Sequence, residues 1–186
     1  MFNFDFYNPT RILFGKGRIA DLNKQVPQQA RVLVLYGGGS VKTTGTLNEV
    51  LHALGDRVVS EFAGMEPNPS YETLMQAVEI VKREKIDFLL AVGGGSVIDG
   101  TKFIAAASVY DGDCLNILKT RGSTIKQALP IGVVLTLSAT GSEMNNGGVV
   151  TVKSTHTKSA FFSEKLFPQF SILDPTKTYT LSPRQV

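Results

Sequence analysis

Three glycines followed by a serine occur twice in this chain, each time directly after a short apolar segment. Gly37–Ser40 follows Arg31–Tyr36, and Gly93–Ser96 follows Asp87–Val92. Both preceding segments are apolar without alternation, which is typical of strands covered on both faces. Glycine permits backbone conformations that other residues avoid, so each run predicts a sharp corner between a buried strand and the next element.

Helical and strand-like patterns alternate around these corners. The spacing of apolar residues predicts helices over residues 44–54, 71–82 and 97–108, with another strand over residues 58–62. Strands that alternate with helices in this way favour a parallel sheet with helices on both faces. The predicted fold class is therefore α/β, with a Rossmann-like parallel sheet, and both corners are expected at the carboxyl ends of their strands.

The two ends of the chain predict additional β structure. Phe2, Phe4 and Phe6 alternate with polar residues ahead of the turn-forming Asn8–Pro9, so the first fifteen residues predict an aromatic β-hairpin. After residue 130 the helical patterns give way to four strand-like segments. They cover residues 131–137, 147–153, 159–162 and 170–173 and predict a hairpin-like section that returns to the main sheet.

Composition narrows the function classes. The chain has 186 residues, which favours one domain, and its net charge of +3 comes from scattered basic residues, so nucleic acid is not an expected partner. No segment predicts a membrane helix or a signal peptide. Cys114 is the single cysteine and cannot form an internal disulfide, which favours the cytoplasm. His52 and His156 belong to no cluster with metal-ligand spacing, and we interpret both as surface residues.

The glycine corners have two possible meanings. They can simply turn the chain, or they can bind a phosphate, because the free N–H groups and dipole at a helix start attract an anion. Two such corners together favour the phosphate. The pattern is neither G-x-G-x-x-G nor a P-loop. Asp99 is expected in the first turn of the following helix, where it can complement the helix dipole, and the hydroxyl-rich segment Thr136–Glu143 can line a polar groove or form a capped turn.

Taken together, the motifs resemble those of a known family. They occur in the same order and spacing as in the iron-containing (group III) alcohol dehydrogenases, especially the branch of NADPH-dependent butanol dehydrogenases and broad-range aldehyde reductases. The segments that carry the resemblance are residues 9–17, 66–69, 93–99 and 139–143.

The resemblance implies a dehydroquinate-synthase-like N-terminal domain that binds the cofactor. In this family the residues matching Gly94, Gly95 and Ser96 hold the pyrophosphate, and Asp99 lies near the ribose and nicotinamide. The remaining matches are Thr136 and Thr140 in the adenine and ribose region, and Lys158 directed at the cofactor.

Cofactor choice depends on the first corner. The resemblance implies that NAD-preferring relatives carry an acidic residue after this strand, whereas Gly37, Gly38, Gly39 and Ser40 offer N–H groups and a hydroxyl. This corner therefore favours NADP(H). Asn68 is expected as a neighbour on the adenosine side, and Lys42 can help to neutralise a phosphate, although a solvated surface lysine is the plainer interpretation.

The resemblance also implies a second, all-helical domain that holds a divalent metal, iron or zinc, through an aspartate and three histidines. Residues 1–186 would form only the NADP-binding domain, with the helical domain outside this chain and no confident catalytic residue within it. A metal would polarise the carbonyl of an aldehyde while the nicotinamide transfers hydride. The N-terminal segment, which is exchanged between subunits in this family, implies a homodimer.

Two alternatives remain open. One is a glycerol-dehydrogenase-type or dehydroquinate-synthase-type enzyme of the same superfamily, against which the corner without a carboxylate and the segment Thr136–Glu143 both argue. The other is a non-catalytic nucleotide-binding or interaction module.

Overall fold

A six-stranded parallel sheet forms the body of the protein. The computed structural model describes residues 3–179. The sheet has the order β1-β8-β5-β4-β2-β3, and every pair in it is parallel. Its strands are β1 (Arg11–Phe14), β2 (Arg31–Tyr36), β3 (Val58–Phe62), β4 (Phe88–Gly93), β5 (Ile131–Leu135) and β8 (Phe170–Leu173), while β6 (Gly147–Val152) and β7 (Thr157–Phe162) form a separate antiparallel hairpin.

Helices cover both faces of this sheet. They are α1 (Leu22–Gln25), α2 (Ser40–Thr43), α3 (Thr46–Leu54), α4 (Tyr71–Arg83), α5 (Gly95–Ala107) and α6 (Leu115–Lys119), with short 3-10 turns between some elements. The predicted helices are thus confirmed, although residues 40–54 form two helices, and α1 and α6 were not predicted. Within residues 3–179, no helix has the length and apolar character needed to cross a membrane.

The central strands divide the core into two layers. Side chains alternate between the faces of a strand, so Leu33 and Leu35 of β2 pack with α4 and α5, whereas Val32 and Val34 pack with α3. Residues on β2, β4 and β5 are almost all buried, as expected for strands covered on both sides. The parallel α/β fold class predicted from the sequence is confirmed.

The N-terminal hairpin prediction is wrong. Residues 3–10 form no strand, and Arg11–Phe14 pairs in parallel with β8 as an edge strand of the main sheet. Met1 and Phe2 lie outside the described residues. The alternation of Phe4 and Phe6 reflects no buried face, because both rings are about 80% exposed. Only Leu13 on β1 is buried, and its packing, together with the ladder to β8, fixes this segment.

The predicted C-terminal β section is confirmed. β6 and β7 leave the sheet as a hairpin, and β8 returns between β1 and β5. The hairpin lies against α5, and glycine is required at this contact, because a Cβ on Gly148 would meet the Phe161 ring at 2.8 Å and the Asp99 Cα at 3.2 Å.

Two glutamates fasten the hairpin turn to the start of α4. The Lys153 ammonium donates to Glu66 Oε1 at 3.0 Å, and the backbone amides of Lys153 and Ser154 donate to the Glu72 carboxylate, each at 3.2 Å. Glu66 Oε1 also accepts hydrogen bonds from the hydroxyls of Ser70 and Thr73, at 2.6 and 2.9 Å. The hairpin, α4 and the loop between them therefore form one connected unit.

These contacts shift the titration of Glu66. Partial burial opposes ionisation, but the hydrogen bonds from Ser70, from its own backbone amide, from Lys153 and from Thr73 outweigh burial and lower the pKa of Glu66 from 4.5 to about 2. A carboxyl whose pKa is lower in the folded protein stabilises it fully above pH 4.5. This stabilisation is lost as the pH falls from 4.5 towards 2.

Replacing this carboxyl tests its contribution. We expect Glu66→Gln to lower the free energy of unfolding by on the order of 1 kcal/mol at pH 7, allowing for solvent screening. The difference from the unmodified protein should shrink below pH 4.5. Urea denaturation between pH 7 and pH 3 measures it, with Glu79→Gln, at an exposed position on α4, as the control. A difference that stays constant with pH would contradict this account.

Candidate functional site

The two glycine corners meet at one edge of the sheet. β2 and β4 are adjacent and parallel with Tyr36 opposite Val92, so both chains turn at the same level. They border a cleft of about 530 Å³. Its lining residues are Gly37, Gly38, Ser40, Val41, Thr44, Thr46, Met65, Pro67, Val92, Gly93, Gly94, Gly95, Ser96, Val97, Thr136, Leu137, Ala139, Thr140 and Lys177.

The second corner places the start of α5 at the cleft. The helix begins at Gly95, and the amides of Val97 and Ile98 both donate to the carbonyl of Gly94. The N–H groups of Gly95 and Ser96 precede the first intrahelical bonds, so they can donate to an anion. Gly95 also has a steric requirement, because a Cβ there would lie 2.5 Å from Thr140 Oγ1.

The first corner offers polar groups without a carboxylate. Gly39 adopts a φ of 111° at the start of α2, a conformation that favours glycine, and Ser40 is exposed at the cleft. None of the residues lining the cleft is Asp or Glu. Lys42 is directed elsewhere, since its Nζ lies 5.3 Å from the centre of the Tyr36 ring.

The hydroxyl-rich segment after β5 forms the opposite wall. The amide of Thr136 donates to the carbonyl of Gly93 at 3.0 Å, which fastens this segment to the second corner. The hydroxyls of Thr140 and Ser142 are 2.8 Å apart. Thr136 and Thr140 line the cleft, whereas Glu143 does not. The groove interpretation of this segment therefore fits the structure for its threonines but not for its carboxylate.

A second hollow, of about 320 Å³, adjoins the cleft and shares Gly95, Ser96 and Thr140 with it. It brings Asn68 and Lys158 together, since Lys158 Nζ donates to Asn68 Oδ1 at 2.8 Å, and the Asn68 amide donates to Ser96 Oγ at 3.3 Å. Asn68 has a φ of 56°, so the backbone itself is turned to present this amide. The structure thus places Asn68 beside Lys158 and Ser96 in the second hollow, and its expected place on the adenosine side stays a prediction.

Asp99 also lines the second hollow, but not from the first turn of α5. Because the helix begins at Gly95, Asp99 is its fifth residue and lies beyond the first turn, so its expected place in that turn, where it would complement the helix dipole, is wrong. Asp99 Oδ2 accepts from the Val149 amide at 3.0 Å, and burial raises the pKa of its carboxyl. Its Oδ1 is buried without a hydrogen-bond partner among residues 3–179.

Lys102 holds the end of the hydroxyl-rich segment Thr136–Glu143 and the residues that lead into β6. Its side chain is fully buried, and its ammonium donates to the carbonyls of Ser142, Asn145 and Gly147 and to Asn145 Oδ1, at 2.7 to 2.8 Å. Burial lowers the pKa of Lys102 to about 8, opposed by the charges of Asp99 and Glu143. Sequence reasoning assigned Lys102 no role, and its only signal was its place one helical turn after Asp99.

Metal binding does not fit the described part of the chain. His52 on α3 and His156 in the β6–β7 turn are both exposed, as predicted. Between residues 3 and 179, no three His, Cys, Asp or Glu side chains lie close enough together to hold a metal ion.

Of the twelve residues predicted for the site, all except Gly39 line one of the two hollows. The model of the family described as "Iron-containing alcohol dehydrogenase" matches residues 9–175. The chain belongs to the iron-containing alcohol dehydrogenase family.

Relatives within this family are close in sequence and in structure. The chain is 60% identical to the NADPH-dependent aldehyde reductase YqhD of Escherichia coli and covers 49% of its length, with 100% of this chain aligned. It is 50% identical to a probable NADH-dependent butanol dehydrogenase 1 of Bacillus subtilis, aligning 97% of this chain with 47% of that protein. A crystal structure of E. coli YqhD superposes with a TM-score of 0.96 at 60% identity, over 98% of this chain and 47% of that one. The chain thus spans about half the length of the relatives it matches.

The contact between Gly95 and Thr140 can be tested directly. We expect Gly95→Ala to lower the free energy of unfolding by ~1–3 kcal/mol, because the added methyl group overlaps the Thr140 side chain. Gly38→Ala is the matched control, since a Cβ at Gly38 meets no atom within 4 Å. It should change stability by less than about 0.5 kcal/mol. Equal free energies of unfolding for the two variants in urea denaturation would contradict this expectation and show that the Thr140 side chain moves aside without cost.

Proposed function

We propose that residues 1–186 are the cofactor-binding part of an NADP(H)-dependent alcohol dehydrogenase or aldehyde reductase. The observation that carries this proposal is a single cleft bordered by two glycine corners and a helix start, with no carboxylate in its lining. A dinucleotide needs one anion site for its pyrophosphate, and NADP(H) needs another for its 2′-phosphate. The two corners supply N–H groups for both.

Each hollow takes one end of the cofactor in this proposal. Gly94, Gly95 and Ser96 hold the pyrophosphate at the start of α5, while Gly37–Ser40 contact the 2′-phosphate. Thr136 and Thr140 line the adenosine portion. The second hollow takes the nicotinamide end, with Asp99 and Lys158 in its lining, and the Lys158 ammonium can donate a hydrogen bond to the cofactor.

NADPH supplies the hydride that reduces an aldehyde, and NADP⁺ accepts it from a primary alcohol. We assign the divalent metal, iron or zinc, to a helical domain outside residues 3–179, because the described residues do not fit it. The polypeptide of 186 residues should therefore bind cofactor weakly and turn over little or no substrate.

Cofactor preference tests the proposal. In calorimetric titrations without added metal, we expect NADPH to bind at least about tenfold more tightly than NADH. Ser40→Asp should reverse this preference, because its carboxylate repels the 2′-phosphate and can accept from a free 2′-hydroxyl. Thr43→Asp, which adds the same charge on α2 at an exposed residue outside the cleft lining, should leave the preference unchanged.

The titrations distinguish an error in the choice of cofactor from an error in the proposed site. Equal or tighter binding of NADH would overturn the choice of NADP(H) and leave the dinucleotide site standing. No binding of either cofactor to a folded sample would overturn the cofactor site itself.

A cytoplasmic homodimer completes the proposal. Its support is an edge strand, β1, that has no neighbour on its outer side within residues 3–179 and carries Phe14 with 68% of its surface exposed. Sedimentation velocity should give the mass of a dimer, and Phe14→Glu should shift it towards a monomer. A monomer at every concentration would contradict the assignment.

A further inference from the structure

Among residues 3–179, Lys177 is the single charged side chain that lines the cleft between the two glycine corners. It lies in the 3-10 turn Pro175–Thr178, which follows β8. Asp174 fixes this turn, because its carboxylate accepts from the amide and hydroxyl of Thr176, at 2.9 and 2.7 Å, and from the Gly17 amide at 2.7 Å. The position of Lys177 beside the cleft is thus set by buried contacts.

The Lys177 ammonium is held by Glu49 on α3. Its Nζ donates to Glu49 Oε1 at 2.6 Å and to Oε2 at 2.8 Å. The two partners are unequally exposed, with 13% of the Lys177 side chain and 48% of the Glu49 side chain accessible. Lys177 lines the cleft, whereas Glu49 does not.

This arrangement orients a cation towards the cleft without placing a carboxylate in it. An ammonium group has three N–H donors, and only Glu49 accepts from Lys177 among residues 3–179. A half-exposed ion pair contributes little by itself, whereas a phosphate provides several strong acceptor oxygens for a charge-assisted bond. Lys42, the basic residue nearest in sequence to the first corner, faces Tyr36 and does not fill this role.

We infer that Lys177, positioned by Glu49, pairs with a phosphate group of the bound nucleotide. The inference rests on the proposed function and adds a residue that the glycine motifs do not include. The phosphate can be the 2′-phosphate of NADP(H) or its pyrophosphate, and both present the same chemistry to an ammonium group.

Lys177→Met removes the charge and keeps the length of the side chain. The probes are NADPH, 2′,5′-ADP and ADP, titrated by calorimetry into the polypeptide of 186 residues. We expect Lys177→Met to weaken the binding of 2′,5′-ADP, of ADP or of both by about tenfold or more. A loss confined to 2′,5′-ADP identifies the 2′-phosphate, whereas a loss that includes ADP identifies the pyrophosphate, because 2′,5′-ADP also carries a 5′-phosphate. Lys177→Arg should retain most of the affinity.

Lys42→Met is the matched control, because it removes one positive charge near the same corner but outside the cleft. It should change the affinity for each nucleotide by less than about twofold if general electrostatic attraction does not cause the loss of binding in Lys177→Met. Circular dichroism checks that each variant is folded. If Lys177→Met does not fold, Lys177→Gln serves as the second neutral variant.

The outcomes are distinct. Either of two results overturns the inference and leaves the proposed function intact. In the first, both probes bind the neutral Lys177 variant as tightly as they bind the unmodified protein. In the second, Lys42→Met loses as much affinity as Lys177→Met. Failure of the unmodified, folded protein to bind NADPH and both probes overturns the inference and the proposed cofactor site together.

Discussion

The parallel pairing of β2 with β4 is the constraint on which the site depends. Parallel strands end at the same edge of a sheet, so their register sets Gly37 and Gly93 side by side although they are far apart in the chain. The pairing of β4 with β5 then brings Thr136 to the same edge, where its amide bonds to Gly93. The cleft is a consequence of strand order. Glycine is required at Gly95, where a Cβ would lie 2.5 Å from the Thr140 side chain, and is favoured at Gly39 by a φ of 111°.

A buried lysine organises the region beyond that edge. Removing a charge from water is costly, and Lys102 offsets this cost with four short hydrogen bonds to one loop. That loop leads into β6, whose amide at Val149 binds Asp99. The same helix, α5, therefore carries the N–H groups at Gly95 that can donate to an anion, the carboxylate in the second hollow and the lysine that anchors the start of the hairpin.

Family membership alone does not decide the cofactor. The names of close relatives include an NADPH-dependent aldehyde reductase and a probable NADH-dependent butanol dehydrogenase, at 60% and 50% identity. Under the proposed function, the discrimination comes from charges at a few positions around one cleft. In this chain the first corner has no carboxylate, the charge of Lys42 is directed to Tyr36, and Lys177 supplies a cation from a distant segment.

The α/β class and both corners could be predicted from the sequence, because apolar strands followed by glycines and helical periodicity are local signals. The sequence also indicated eleven residues that the structure brings to the two hollows, mostly through motifs shared with a family. It misplaced the N-terminal segment, since exposed aromatics can alternate without forming a strand, and only the ladder to β8 decides where β1 lies. Only the tertiary structure placed Lys177 beside the cleft and against Glu49, 128 residues away, because that contact depends on how β8 and α3 pack around a shared core and on no local pattern.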